Sequence, residues 1–363
     1  MLKLGYDSVR DLVLGSALLG CGGGGDPIAG MRILEEALNN RVNLIIKGLD
    51  EMDDDDFIAT AYFCGPVGSY KNCKRKGSLT YDQMIKAINI FEERFHVNIS
   101  ALYAVELGGY NTAIALKTAS ILGLPFLDAD AAGRAVPELA QSTIRIFGKE
   151  LYPSIIVDLL GNYIIIEKYS SIDFYENLSR YLTELSCGSV FIVDGVLSVR
   201  DAKRMLIRGT ITKSIYLGKN IRENLGDKSS IIKKISSLIN GYYIGGGIIR
   251  DVDLDVVGGF LEGTYLIKEK KEVIKIYVKN ENIAVWLENK PLALPPDLII
   301  LLDEEGYPVI NSRIKEGMSA NLIVAKAPDL WRTKKGLEIL GPRHFNIKDK
   351  YVPVEELVKR LNL

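Results

Sequence analysis

Leu122-Gly-Leu-Pro-Phe-Leu-Asp128-Ala-Asp130-Ala-Ala-Gly133-Arg134-Ala-Val-Pro137-Glu138 passes directly from an apolar run into acidic side chains and a guanidinium. The part from Pro125 to Asp130 reads as a buried strand. Charge delivered at the end of such a strand is the mark of an open α/β sheet, which binds ligands outside the carboxyl ends of its strands. Asp128 and Asp130 alternate with Ala129 and so share one face of the strand. Carboxylates paired in this way could share a proton or hold a divalent metal, and either arrangement separates their pKa values. Arg134 could neutralise one of them or clamp a substrate carboxylate through its planar fork. Glu138, just after Pro137, can open a helix and favour its dipole.

Working backward, strands and helices alternate. Asp7-Ser8 caps a first helix with Val9, Leu12, Val13 and Ala17 as its apolar stripe, ending at Gly20. Asp26-Pro27 starts a second helix that runs to Leu38. Val42 to Leu49 and Phe57 to Phe63 read as strands, separated by the acidic loop Asp50 to Asp56. Thr80 with Gln83 forms a capping box for a helix to Phe95. Ala101 to Val105 is a short strand, and a helix follows from Asn111, which can cap it, to Leu122. This alternation predicts an α/β layer with parallel pairing.

Working forward, the texture changes. Ile155–Val157 and Tyr163–Ile166 flank Gly161-Asn162 as a hairpin. Helices are expected at Ser171–Leu185, Val199–Ile207, Ile211–Leu225 and Ser229–Ile239. Short strands follow at Tyr265–Ile267, Val273–Val278, Ile283–Leu287, Leu298–Leu302 and Ala320–Ala325, and an amphipathic helix near Glu355–Leu361 closes the chain. The expected architecture is therefore an N-terminal mixed or parallel α/β domain over 1–165. The C-terminal domain, 166–363, is expected to be helical over 171–240 and mostly β over 241–325, with the pocket near the junction.

Composition narrows the function. A chain of 363 residues exceeds the size at which single cores stop growing, about 250–300 residues. A net charge of −1 argues against nucleic acid or an anionic membrane as the main partner. Lys71–Lys76 is read as a solvated loop offset by Asp53–Asp56. The start lacks a signal peptide and no run spans a bilayer, so a cytoplasmic location is expected. The cysteines Cys21, Cys64, Cys73 and Cys187 are scattered and suggest no disulfide framework. Histidine is confined to His96 and His344, too few for a histidine-rich metal site. Glutamine occurs only at Gln83 and Gln141, a composition that thermophilic proteins favour.

Two further segments carry polar groups at element ends. Gly22 to Gly25 precede a helix N-terminus, where free amides suit an anion or a developing oxyanion. The run is neither a P-loop nor a dinucleotide fingerprint, because no Lys-Ser/Thr follows it and a helix precedes it. Glu106-Leu-Gly-Gly-Tyr-Asn111 ends a strand beside glycines that admit a ligand to the backbone. Gly22–Asp26, Glu106–Asn111 and Asp128–Arg134 are expected to line one pocket.

These stretches, Gly20-Cys-Gly-Gly-Gly-Gly-Asp-Pro27, Glu106-x-Gly-Gly-x-Asn111 and Asp128-Ala-Asp-x-x-Gly-Arg-Ala-x-Pro-Glu138, resemble the S-methyl thiohydantoin desulfurase-like family. That family was long catalogued as a domain of unknown function beside hydantoinase and oxoprolinase subunits. The likeness continues in Asp54-Asp55, Asn280-Glu281-Asn282, Pro296-Asp-Leu-Ile299 with Asp303, and Trp331-Arg-Thr333 with Gly341-Pro-Arg343. The resemblance implies a hydrolase acting on a five-membered cyclic imide or thioimide, in which water attacks the ring carbon and thiol or sulfide leaves.

Residue chemistry then suggests Asp128 or Asp130 as base, the amides of Gly23, Gly24 and Gly25 as donors, Glu106 toward ring N–H groups and Arg134 toward an acidic side arm. Asp26, Asn111 and Glu138 complete the expected binding groups. A non-catalytic ligand-binding or regulatory subunit of a hydantoinase/oxoprolinase complex is the alternative. Self-association is left open.

Overall fold

The computed structural model describes residues 1–67, 77–224, 230–269 and 272–362. Lys71–Lys76 lies outside the described residues. The first sheet is built from β1 (Leu2–Lys3), β2 (Ile45–Lys47), β3 (Phe57–Cys64), β4 (Ile99–Ala104), β5 (Phe126–Asp130), β6 (Ser154–Asp158), β7 (Tyr163–Ile166), β8 (Val190–Ser198) and β9 (Ile207–Arg208). Its order is β1-β2-β5-β4-β3-β8-β6-β7, with β9 beside β5. The centre, β2-β5-β4-β3, is parallel, while β1, β8, β6, β7 and β9 pair antiparallel. It is a mixed sheet.

Helices cover both faces. α1 (Tyr6–Leu19), α2 (Pro27–Asn39), α3 (Tyr81–Phe95) and α4 (Asn111–Ile121) share one apolar core with α8 (Thr210–Asn224) and α9 (Ile231–Leu238). On the opposite face lie α5 (Thr143–Ile146), α6 (Ile172–Leu185) and α7 (Val199–Met205). The alternation of β3 explains this division. Ala59 and Ala61 join the first core, whereas Ile58 and Tyr62 join the second.

Starts and stops follow local rules. Asp26 Oδ1 accepts from Ile28 N–H with Pro27 at the first helical position, and Thr80 with Gln83 forms the expected capping box. Other expectations needed correction. The strand read over Val42–Leu49 contracts to Ile45–Lys47 and gives way to a short turn of 3-10 helix at Leu49–Glu51. The cysteine reading also changes, because Cys187 is disulfide-bonded.

The second sheet is all antiparallel and curled, in the order β14 (Lys290–Ala293), β13 (Glu281–Leu287), β12 (Glu272–Lys279), β11 (Phe260–Glu269), β10 (Tyr242–Val257), β16 (Ser319–Ala325), β15 (Leu298–Leu302). β10 is a long strand without a clear sequence signal, since Gly245 to Gly247 interrupt its pattern. One face of β15 and β16, through Ile300, Leu302 and Ile323, packs into the core that holds α1 and α8. Their alternate residues Ile299, Leu301 and Leu322 fill the second sheet's own core, onto which α11 (Val354–Arg360) also packs. The preceding helix α10 (Lys334–Leu340) adds Leu340 to a smaller cluster around Trp331. The two layers are thus joined by a shared strand pair, and no helix among the described residues is long and apolar enough to cross a membrane.

Candidate active site

The glycine run is tied to both layers. Gly24 O accepts from Tyr110 N–H (3.0 Å) and Asn111 N–H (3.1 Å), which joins it to the end of β4 and the start of α4. Cys21 O accepts from Asn282 N–H and Gly22 O from Asn311 N–H, both at 2.8 Å, which joins it to the second sheet. Gly24 sits at φ +70° with Gly108 against its Cα, so a side chain there would meet backbone as well as strain. Gly23 makes room of another kind, because a Cβ there would occupy the place of the Glu281 carboxyl.

At this junction lies a cavity of about 140 Å³ lined by Gly24, Gly25, Glu106, Asn111, Glu138 and Glu281, among others. Engineered protein cavities of about 150 Å³ hold a benzene-sized ring. Two buried carboxyls, Glu106 and Glu281, face this space from different sheets.

Glu106 Oε1 accepts from Asn111 Nδ2 (2.8 Å) and Oε2 from Val136 N–H (2.9 Å). Burial pushes its carboxyl up to about 7, with the Val136 and Asn111 hydrogen bonds and the nearby Arg180 and Arg134 opposing. Glu281 is only 2% exposed and its Oε2 has no hydrogen-bond partner among the described residues. Burial and the neighbouring Glu106 carboxylate raise Glu281 well above the ordinary carboxylate range. Burial thus raises both carboxyls, so the pair favours holding a proton in this space.

Other walls are chemically distinct. Arg180 donates to Glu176 Oε1 (2.7 Å) and to the carbonyls of Pro137 and Gly259, with its guanidinium 4.0 Å from the Phe260 ring centroid. Glu138 accepts from Lys279 Nζ and is bonded to His344 Nε2 (2.6 Å). Burial would raise the Glu138 carboxyl, but the His344 and Lys279 contacts prevail and hold it near about 2. The Cys64 thiol is pushed up to about 12 by burial, so it is no ready nucleophile.

Not every expected group lies here. Asp128 turns away. Its Oδ1 accepts from Ile211 and Thr212 N–H and its Oδ2 from Thr212 Oγ1 (2.7 Å), which caps α8. Asp130 Oδ2 accepts from Ala132 and Gly133 N–H and so holds the turn that follows β5. Although the two alternate on β5, they serve different amides, and Asp130 Oδ1 is left buried without a hydrogen-bond partner among the described residues. Among the described residues there is no group of three or more His, Cys, Asp or Glu that could hold a metal ion.

Arg134 is fully buried and donates to the carbonyls of Ala135, Asn282, Pro296 and Asp297, which makes it a clasp between the layers, away from the cavity lining. Asp26 caps α2 and pairs with Arg313 (2.9 Å) on the exposed side. Asn111 does not cap α4, whose N-cap is Tyr110. Its amide pairs with the backbone of Phe63 and fixes Glu106. The groups missed as site residues were Glu281, Asn280, Gln141 and Arg180. The triplet Asn280-Glu281-Asn282 is polar in the sequence, but no local signal there places it in the same space as Glu106.

An S-Me-THD-like N-terminal domain model matches residues 7–168, and an S-Me-THD-like C-terminal domain model matches residues 170–354. The chain belongs to the S-Me-THD-like family. A crystal structure of a protein from Chromobacterium violaceum shares the fold of this family member, with a TM-score of 0.76 at 16% identity, covering 98% of this chain and 100% of that one. No curated protein matches the chain. In this S-Me-THD-like chain the cavity lies where the two matched domains meet, with Glu106 from one and Glu281 from the other.

Proposed function

We propose that the protein hydrolyses a five-membered cyclic thioimide of the S-methyl thiohydantoin kind. The observation that carries this reading is the Glu106–Glu281 pair, two buried carboxyls from different domains on one ring-sized cavity. Family membership supplies the substrate class.

Glu106, with lone pairs left after its two hydrogen bonds, takes a proton from water as the oxygen bonds to the ring carbon bearing sulfur. The C=N electron pair moves to ring nitrogen. The C–S bond then breaks, and the thiolate takes the Glu281 proton and leaves as thiol. The remaining hydroxyl proton passes to ring nitrogen as the new carbonyl forms. Proton transfer from Glu106 to Glu281 resets the pair. The amides of Gly24 and Gly25 donate to nothing among the described residues and can stabilise charge as it develops.

Thiol release from S-methyl thiohydantoin by the purified chain is the direct test. The rate should rise with pH through about 7, where Glu106 ionises, and fall again where Glu281 loses its proton. Ligand binding with no thiol released would sink the hydrolase reading and fit a non-catalytic partner of a hydantoinase or oxoprolinase complex.

A further inference from the structure

Two carboxamides on the cavity wall each have the side-chain oxygen held by main-chain N–H and an NH2 that donates to nothing among the described residues, buried in the case of Gln141. Gln141 is 1% exposed, and its Oε1 accepts from Glu138 N–H (3.0 Å). Its Nε2 has no hydrogen-bond partner among the described residues. Asn280 is 4% exposed, and its Oδ1 accepts from Leu261 N–H (2.9 Å) and Val67 N–H (3.3 Å). Its Nδ2 donates to nothing among the described residues.

In both, the oxygen is held by main-chain N–H. Flipping either amide would set NH2 against N–H, donor against donor, so the orientation is fixed by chemistry. A buried donor left without a partner carries a desolvation penalty that a ligand acceptor removes. Gln141 comes from the α/β layer and Asn280 from the end of β12, so the two donors approach the cavity from opposite domains. The amides of Gly24 and Gly25 add donors to the same wall.

We propose that Gln141 and Asn280 are specificity-determining residues that together read two carbonyl oxygens on an uncharged five-membered ring. This deepens the hydrolase reading and rests on it for the ring class. One oxygen is the carbonyl the ring already carries, and the other is delivered by water. Hydantoin, the product of thiol release from S-methyl thiohydantoin, contains both. A cationic ligand finds no complement in this set of donors, and a ring with a single carbonyl, the S-methyl thiohydantoin substrate included, leaves one donor unmatched until water has added to the ring carbon.

The test uses hydantoin and the single-carbonyl ring 2-imidazolidinone as probes, titrated by calorimetry into the full chain. The wild type should hold hydantoin about tenfold or more tightly than 2-imidazolidinone, since an unmatched buried donor is penalised. Gln141→Glu and Asn280→Asp each keep an oxygen for the main-chain N–H but replace the donor with an acceptor. Each should weaken hydantoin by about 10–100-fold at pH 8 with little change in Tm, and erase the preference. Gln141→Met, which removes the donor without adding charge, should behave alike and covers the case in which the carboxylate variant does not fold.

Folded variants that bind hydantoin within about twofold of wild type would overturn the proposal, as would a wild type that holds both rings equally. Selective hydantoin binding without thiol release would remove the hydrolase reading and leave this one standing. Thiol release with equal binding of the two rings would do the reverse.

Discussion

The turn after β5 and the junction between the two layers hold the same kinds of side chain and use them in opposite ways. In the turn, Asp130 Oδ2 receives two main-chain N–H groups and Arg134 gives its guanidinium to four carbonyls. At the junction, Glu281 Oε2 and Gln141 Nε2 keep bonding capacity that nothing among the described residues takes up, as Asp130 Oδ1 does in the turn, but the junction residues line a cavity. A raised pKa does not separate the two regions, because burial pushes both Asp130 and Glu106 up to about 7. What separates them is access, since Glu106 and Glu281 line the cavity and Asp130 does not. Chemistry is available where polar groups remain unspent beside a space that a ligand can enter.

The contrast breaks first at Glu281. Glu281→Gln is isosteric with the protonated carboxyl, so it should fold normally, but it has no proton to give a leaving thiolate. Turnover should fall by about 10²–10⁴ with Tm nearly unchanged. Near-normal thiol release from this variant would dissolve the acid–base pair. Arg134→Met is the converse test. It strips four buried carbonyls of their donor, and each orphaned group costs about 1–3 kcal/mol, so urea unfolding should show a loss above about 3 kcal/mol. The same change removes a positive charge that favours ionised Glu106, so any surviving activity should show its rising limb at higher pH.

How far this contrast was legible in the sequence differs from residue to residue. The layer order was readable, because Asp26-Pro27, Thr80 with Gln83 and the apolar runs are local signals, and local signals survived folding. β10 was not, because its glycines hide the alternation that marks a strand. The convergence of the glycine run with Glu106 was legible as composition at element ends. The partner Glu281 was not, because it follows Glu106 by 175 positions and only tertiary packing brings them together. Of the charged residues in Asp128–Glu138, Glu138 lines the cavity, while Asp128, Asp130 and Arg134 do not. Sequence shows which side chains are polar, but not which main-chain amides will claim them.

Asp130→Asn sharpens the point within the turn. The folded carboxyl ionises near about 7, against about 3.9 in an unfolded chain. A raised carboxyl favours the folded state fully below the unfolded value, and that contribution is lost as pH rises through the folded one. Asparagine has no charge to bury and can keep its oxygen on Ala132 and Gly133 N–H. The variant should therefore gain stability on wild type above pH of about 7 and match it near pH 4, followed by urea midpoints at both. Its turnover should stay within about threefold of wild type, short of the factor of 10²–10⁴ that loss of a general base produces.

The smallest effect is expected at Asp128. Its carboxylate accepts from Ile211 N–H, Thr212 N–H and Thr212 Oγ1, so it serves the otherwise unpaired amides at the start of α8. Asp128→Ala removes that cap and nothing that faces the cavity. Stability should fall by about 1 kcal/mol, visible as a Tm drop of roughly 2–4 °C. Turnover should be unaffected once the protein is held well below its melting point. Asp128→Asn retains an acceptor for the Ile211 and Thr212 amides and should recover part of the loss, as a cap predicts and a catalytic base does not. A folded Asp128→Ala chain with turnover reduced a hundredfold would place chemistry in the turn after β5 and collapse the distinction between the two regions.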